Sequence, residues 1–204
     1  MRPSPLQNRC APDGSLHAVA ARGTLMGNRG GRLHREDGTL GAARWRSRAW
    51  ICCRLAFRSR HRTVMGAGYT ELFFLDEATA LAAGHRPCFE CRRADADAFA
   101  AHWPGPRPRA DDMDRALHAE RLAAPETVAL GTLPEGAIFA ADGAFHLVAG
   151  DVLAWSFDGY RPARRFAAEE RVAAVTPPTI RAILAAGYRP ALHPSAEAGQ
   201  RSAR

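Results

Sequence analysis

Residues 73–93 read FFLDEATALAAGHRPCFECRR, and this stretch predicts a strand, a helix and a tight turn in succession. The aromatic and apolar residues at its start are typical of a strand. A helix is predicted over 76–84, because Asp76 can cap its N-terminus and Gly84 can adopt the left-handed conformation that follows many helix ends. Pro87 then prevents the helix from continuing. The turn that remains holds two cysteines.

These two cysteines, Cys88 and Cys91, favour a metal site. A Cys-x-x-Cys pair on a tight turn directs both sulfur atoms toward one point, as a tetrahedral thiophilic ion requires. A redox-active pair would instead lie at a helix N-terminus after a buried strand, where the thiol pKa is lowered. The chain has five cysteines in all, an odd number that does not suggest a disulfide framework.

A second cysteine-containing stretch lies upstream, within RWRSRAWICCRLAFRSRHRTV at 44–64. Ile51, Cys53 and Phe57 fall on one face of a period-two pattern and therefore predict a half-buried strand. A turn region rich in glycine separates it from the apolar run 69–75. The two segments are thus predicted to form a hairpin.

Together these motifs resemble the zinc domain at the N-terminus of the bacterial Ada methylation-repair protein. In that family a strand and an alanine-rich helix lead into a Gly-x-Arg-Pro-Cys-x-x-Cys-Arg turn, as in residues 73–93 here. The stretch CRLAFRSRH at 53–61 is similar to the upstream Cys-Arg-x-x-Cys-Arg-x-Arg-His motif of the family. It departs from that motif at Phe57, which stands where the family has a second cysteine. The resemblance covers about residues 53–93.

The resemblance implies that Cys53, Cys88 and Cys91 bind Zn²⁺. It also makes Cys53 the candidate catalytic residue, because the matching family position accepts a methyl group from a DNA phosphotriester. Zinc holds a thiolate at neutral pH, and that thiolate is the nucleophile. The missing second cysteine lowers the number of thiolates and hence the nucleophilicity. Candidates for the fourth ligand are, in order of preference, His61, Cys52 and His34.

Other polar residues are assigned a structural role. His85 is expected to pack or to support a metal ligand rather than to bind the metal. Asp114, His118 and Arg121 share one face of a helix predicted over 111–122. An acid-oriented histidine there could be a general base, but a solvated helix face is the interpretation that we favour.

Positive charge is concentrated early in the chain. Residues 1–62 carry 13 arginines and three acids, a balance of +10, whereas residues 63–204 have a balance of −3. Such a surface attracts polyanions, and interleaved aromatic residues such as Trp45 and Trp50 offer stacking surfaces for bases. The alternation places these arginines on the solvent face of the hairpin. The alternative to nucleic-acid binding is an inert basic surface. Candidate nucleic-acid-binding residues are Arg44, Arg46, Arg48, Arg54, Arg58 and Arg60.

The predicted fold class is α+β, with an Ada-like zinc module followed by a small antiparallel β-rich domain that a helix closes. Short β-like runs and Asp-Gly turns indicate the second domain. The predicted divisions are a loose leader at 1–20, the metal-binding module at 21–105, a linker with the helix 111–122 at 106–129, the β-rich domain at 130–195 and a disordered tail at 196–204.

The sequence thus predicts a zinc-binding bacterial protein whose metal is mainly structural and whose partner is nucleic acid, with DNA preferred over RNA. One alternative is a zinc-thiolate alkyl acceptor or another metal-dependent enzyme that acts on DNA. Another is a protein-docking module with a structural zinc. The absence of lysine excludes Schiff-base and P-loop chemistry. Without a long apolar run or a signal-peptide pattern, we expect a cytoplasmic protein with no membrane partner.

Overall fold

The computed structural model describes residues 4–59 and 63–197, which form an α+β fold, as the sequence predicts. The strands of the first sheet are β1 (Arg9–Cys10), β2 (Leu16–His17), β3 (Leu25–Asn28), β4 (Ile51–Arg54), β5 (Leu72–Phe74) and β6 (Arg86–Pro87). The strands of the second sheet are β7 (Glu126–Ala129), β8 (Ile138–Ala141), β9 (Ala144–Ala149), β10 (Asp151–Ser156), β11 (Gly159–Pro162) and β12 (Arg171–Ala174). The helices are α1 (Glu77–Ala82), α2 (Arg93–Ala101), α3 (Ala110–Glu120) and α4 (Pro178–Ala185), with a 3₁₀ turn at Leu130–Thr132.

The first sheet is mixed and has the strand order β2-β1-β5-β3-β4-β6. β3 is antiparallel to β4 and to β5, while β1 is parallel to β5 and β6 is parallel to β4. The prediction of a hairpin between the segments 51–57 and 69–75 is therefore wrong, because β3 lies between them. The upstream strand is also shorter than its alternating pattern suggests. It ends at Arg54, and Leu55 beyond it is 52% exposed.

The pairing of these strands places Cys53 on one face of the sheet and Cys52 on the other. Met26 of β3 lies opposite Cys53 on one side and opposite Phe73 on the other, so these three residues form one row. Cys52 is fully buried on the opposite face, in a hydrophobic cluster that includes Ala80 of α1 and Ala83 directly after it. Both faces of β4 are thus covered, which explains why the two adjacent cysteines are both buried.

Helix α1 confirms the capping pattern that the sequence predicts. Asp76 accepts hydrogen bonds from the backbone N–H of Thr79 at 2.9 Å and from its hydroxyl at 2.8 Å. Gly84 has a φ of +77°, the left-handed conformation expected after the helix. Every residue of α1 is buried, because the helix contacts clusters that belong to both sheets.

The second sheet is antiparallel, with the order β11-β10-β9-β8-β12-β7, and it is tied to α1 by buried hydrogen bonds. The hydroxyl of Tyr160 in β11 donates to Asp76 at 2.9 Å, and that of Tyr188, which follows α4, donates to Glu77 at 2.6 Å. Burial raises the pKa of Asp76, opposed by the hydrogen bonds that it accepts. The predicted boundary between the two parts stays a prediction, and one core is shared by Leu81, Phe99, Met113, Leu117, Phe139 and Ile183.

Both ends of the described chain pack more closely than expected. The leader at 1–20 is not loose throughout, because Arg9 of β1 pairs with Phe73 of β5 and Cys10 is fully buried. Ala196, assigned to a disordered tail, is 1% exposed and packs in a hydrophobic cluster with the second sheet. The rest of that predicted tail from residue 198 lies outside the described residues.

The solvated-face interpretation of the helix predicted at 111–122 is wrong for Asp114. Asp114 of α3 is 5% exposed and receives two hydrogen bonds of 2.8 Å from Arg86, one from Nε and one from Nη2. The pair joins α3 to β6, which directly precedes the cysteine turn. His118 contacts the ring of Trp45 edge-on at 5.1 Å between centroids.

Within the part of the chain that the structure describes, no helix is both long and apolar enough to cross a bilayer.

Candidate metal centre

The sulfur atoms of Cys53, Cys88 and Cys91 lie within 4.8 Å of one another. Each of the three residues is 8% exposed, and all three thiols are free of disulfides. In a tetrahedral site with metal–sulfur distances of about 2.3 Å the sulfur atoms lie roughly 3.8 Å apart, so the cluster is close to the spacing that one ion requires. The structure therefore brings together three of the four predicted metal ligands in a cluster that could hold a metal.

The cysteines converge because two parallel strands end at the same edge of the sheet. Cys52 of β4 lies opposite Pro87 of β6, and the residues that follow them, Cys53 and Cys88, both belong to the cluster. The register is held by a hydrogen bond of 3.0 Å from the N–H of Cys88 to the carbonyl of Cys52. A tight turn then returns Cys91 to the cluster, closed by a 3.0 Å hydrogen bond from the N–H of Arg92 to the carbonyl of Cys88.

Hydrogen bonds to sulfur favour the thiolate form of Cys88, whereas burial raises the pKa of Cys91. The pKa of Cys88 is lowered, first by a hydrogen bond from the thiol of Cys53 and then by backbone N–H groups of the turn, against the opposing effect of burial. One of these donors is the N–H of Glu90, 3.4 Å from the Cys88 sulfur. The pKa of Cys53 is correspondingly raised, because its proton is held by Cys88 and because it is buried. A metal ion would take the place of that shared proton.

A cavity of about 420 Å³ opens onto all three cysteines. Three aromatic residues that line it, Phe57, Tyr69 and Phe73, also pack against the cysteine cluster. Arg54 and Glu71 contribute charged groups to the same wall. The cluster is thus reachable from one side through this cavity, while the sheet covers it on the other.

The three candidates for a fourth ligand have different outcomes. Cys52 lies on the opposite face of β4, where its sulfur accepts a hydrogen bond from Arg92 at 3.5 Å and burial raises its pKa. His34 has Nδ1 2.7 Å from the Thr70 hydroxyl and Nε2 3.0 Å from the carbonyl of Gly66. Neither residue belongs to the cysteine cluster. His61, the preferred candidate, lies outside the described residues.

His85 has the packing role that the sequence predicts. It is fully buried, with its ring 5.0 Å from that of Trp50 and 4.7 Å from that of Phe74. Arg29 donates a hydrogen bond of 3.4 Å to its Nε2. Burial, with the nearby arginines, lowers its pKa well below the usual value, so it is neutral at physiological pH.

The arginine candidates lie mostly on a loop rather than on the predicted hairpin face. The loop before β4 exposes every second residue from Arg44 to Arg48, and Trp45 between them is half-buried. The exposed candidates are Arg44, Arg46, Arg48, Arg54 and Arg58. Arg60 lies outside the described residues. The positive surface is therefore present, although the loop presents it in a different geometry.

Two further arginines, Arg29 and Arg121, contact this loop. The sequence indicates Arg121 only as part of one helix face and gives no role to Arg29. The guanidinium carbons of Arg29 and Arg121 lie 3.9 and 4.4 Å from the ring centre of Trp50. Arg29 is 1% exposed and donates to the carbonyl of Gly14 at 2.8 Å. Arg121 donates to the carbonyl of Arg48 at 3.0 Å. No local sequence signal separates such buried arginines from exposed ones.

Scans of protein-family models, of curated proteins and of solved structures found no match to this chain. Support for a metal site therefore comes from the positions of Cys53, Cys88 and Cys91. The resemblance to the Ada zinc domain stays a prediction that these comparisons do not support.

Proposed function

We propose that this chain binds one zinc ion through Cys53, Cys88 and Cys91, mainly as a structural ion, and that its arginine-rich loop binds nucleic acid. The observation that carries the proposal is the convergence of three buried sulfur atoms within 4.8 Å. Thiolates select thiophilic ions, and zinc is the common redox-inert ion of tetrahedral thiolate sites. The N–H donors directed at the Cys88 sulfur favour the thiolate form of this residue, which is the form that binds zinc.

A structural role follows from where the three ligands lie. The ion would connect the end of β4 to the turn between β6 and α2. β6 has only two residues and lies at the edge of the sheet, so few backbone hydrogen bonds hold it. The fourth position would be filled by His61 or by a ligand that enters through the cavity. Such cross-links contribute directly to folding free energy.

Nucleic-acid binding is supported by the charge and exposure of the loop. Exposed arginines occupy every second position of the loop, at Arg44, Arg46 and Arg48. Arg54 and Arg58 are exposed further along the chain. Closely spaced guanidinium groups bind phosphates and release counterions, which gives a strong dependence of affinity on salt. We expect DNA to be the preferred partner, as the resemblance to a DNA-repair domain implies.

Affinity for single-stranded DNA is expected to fall steeply with salt. Each phosphate contact contributes roughly −0.7 to the slope of log affinity against log salt for a single strand. Replacing Arg46 and Arg48 of the loop together with alanine should therefore flatten the slope by roughly 1.4. Fluorescence anisotropy with a labelled oligonucleotide over a salt series measures it.

The matched control replaces Arg161 and Arg165, two exposed arginines of the second part of the chain, with alanine. This control changes the net charge by the same amount and should keep the wild-type slope. Equal slopes for both double variants would reject the loop as the binding surface. An acidic protein that binds the loop in the absence of any DNA affinity would favour the docking-module alternative.

A second candidate function is alkyl transfer to Cys53, which the cavity favours because it opens onto that residue. The Cys53 sulfur would attack the methyl carbon of a DNA methyl phosphotriester. A carbon–sulfur bond would form as the carbon–oxygen bond breaks, and the phosphodiester anion would leave. The proton of Cys53 would already have been lost on binding zinc, which keeps the thiolate available.

Incubation with DNA that carries a methyl phosphotriester is expected, on this second candidate, to add one methyl group per chain. Mass spectrometry of the intact protein and of its peptides locates the group. Cys53→Ser should form no adduct. Cys52→Ser, which replaces the buried neighbour of Cys53 on the other face of β4, should form the adduct normally. Zinc-loaded wild type without an adduct on Cys53 would eliminate alkyl transfer and leave the structural zinc site intact.

A further inference from the structure

A second cavity, of about 490 Å³, lies where the arginine-rich loop, the end of α3 and the second sheet meet. Arg44, Trp45 and Trp50 of the loop line one side of it, and residues of β8 and β12 line another. It shares no lining residue with the cavity over the cysteines within the described parts of the chain. Its volume is in the range of small-molecule sites.

The walls of this second cavity suit an uncharged ligand. Small apolar side chains such as Ala83, Ala140 and Ala173 form much of the lining. Three arginines and three acidic residues also line it, so their formal charges cancel. Two of these charges are already paired, since Arg181 binds Glu126 in an ion pair. Neutral, largely apolar walls disfavour an isolated phosphate and favour a planar ring.

Three residues that line the cavity, Trp50, Arg121 and Arg181, each have a buried nitrogen donor without an acceptor among the described residues. Trp50 lines the cavity and is 5% exposed. Among the described residues, none accepts a hydrogen bond from its indole Nε1. A buried donor without an acceptor is unfavourable, so a shift of the Trp50 ring that brings its N–H to a carbonyl oxygen or a ring nitrogen of a ligand would be favoured. Trp45, half-buried and 6.1 Å from Trp50 between ring centres, adds aromatic surface to the same wall.

We infer that this second cavity receives the base of a nucleotide. A nucleobase is planar and uncharged, and it carries the acceptors that the indole N–H of Trp50 lacks. Arg44 lines the cavity and also begins the exposed arginine series. A strand with one base in the cavity would therefore place its neighbouring phosphates beside Arg44, Arg46 and Arg48. A base that belongs to a strand is the form of the inference that rests on the proposed nucleic-acid binding. A free nucleotide is the other source of such a base.

The test uses the zinc-loaded full chain and a short single-stranded DNA that contains one 2-aminopurine, whose fluorescence reports on base stacking. Binding to wild type is expected to change this fluorescence several-fold. Ala173→Leu, which fills the cavity from β12, should abolish the change and weaken binding by about tenfold, as expected for one lost base contact. It should keep the salt slope, which the loop arginines set.

Ala154→Leu is the matched control, because Ala154 is a half-buried alanine of β10 in the same sheet that does not line the cavity. It should behave as wild type. Trp45→Leu is a second variant that removes aromatic surface instead of adding volume, and it should also reduce the fluorescence change. The free 2-aminopurine nucleoside is titrated against the same proteins, to separate a strand from a free nucleotide as the source of the base.

The outcomes separate the two claims. Salt-dependent strand binding with equal fluorescence changes in wild type and Ala173→Leu would overturn the base cavity and leave nucleic-acid binding in place. Nucleoside binding that Ala173→Leu blocks, without any strand binding, would reject the arginine-loop function and support the cavity as a site for a free nucleotide. No response to either probe would overturn both.

Discussion

Cys88→Ser is expected to abolish metal binding and to unfold the first sheet. A structural zinc ion contributes an apparent binding free energy of about 10 kcal/mol or more at neutral pH. The whole stability of a protein of this kind is about 5–15 kcal/mol, so loss of the ion removes most of it. The thermal midpoint of the variant, measured by circular dichroism, should match that of wild type treated with a strong chelator.

Cys52→Ser supplies the control for this experiment. Cys52 is adjacent to Cys53 and is also buried, but its sulfur lies on the opposite face of β4 beside Arg92. This variant should keep its metal and should still lose stability when a chelator is added. A Cys88→Ser protein that melts at the wild-type temperature would show that the cysteine cluster has no structural metal.

Asp114→Ala is expected to lower the free energy of unfolding by about 3–5 kcal/mol, because it leaves the guanidinium of Arg86 buried without its counter-charge. The side chains of the pair are only 6% and 8% exposed, and both hydrogen bonds measure 2.8 Å. Urea unfolding of the zinc-loaded protein measures the loss. The effect is large although the wild-type pair itself contributes little net stability, since the cost arises from the charge that remains.

Asp112→Ala, two residues away on the same helix, serves as the comparison. Asp112 is 37% exposed and forms ion pairs with Arg109 and Arg115, which are more exposed still. Such surface pairs are worth about 0–1 kcal/mol, so this variant should remain close to wild type. If both substitutions had the same small effect, the Arg86–Asp114 pair would not be the buried link between α3 and β6 that the structure describes.

The parts of the fold that the sequence predicts well depend on signals a few residues apart. Helix α1 follows from the cap at Asp76 and the glycine at Gly84, and both have the predicted geometry. The Cys88–Cys91 turn follows from its own spacing. The placement of Cys53 beside that turn came from the resemblance, and the structure brings its sulfur into the cluster.

The parts that the sequence does not predict depend on contacts between distant segments. β3 separates β4 from β5, and no local periodicity encodes which strands become neighbours. The alternation around Cys52 and Cys53 predicts one buried face, whereas β4 is covered on both faces by α1 and by the cysteine cluster. The pairing of β1 with β5 likewise orders a segment whose composition suggests a loose leader.

The sequence likewise does not predict which charged residues are buried. Composition gives the number of arginines but not their environment. Arg29 and Arg86 are buried and bind groups of the protein itself, whereas Arg46 and Arg54 are exposed. The partner of Arg86 is 28 residues away on another element, so a buried ion pair and a solvated helix face are indistinguishable in the sequence of α3 alone.

Metal content tests the central claim most directly. Wild-type protein purified without added metal should contain about one zinc ion per chain, as determined by inductively coupled plasma mass spectrometry on a sample of known protein concentration. Cys53→Ser, Cys88→Ser and Cys91→Ser should each lose it, and Cys52→Ser should retain it. A folded wild-type chain that contains no zinc and takes up none from solution would contradict the account.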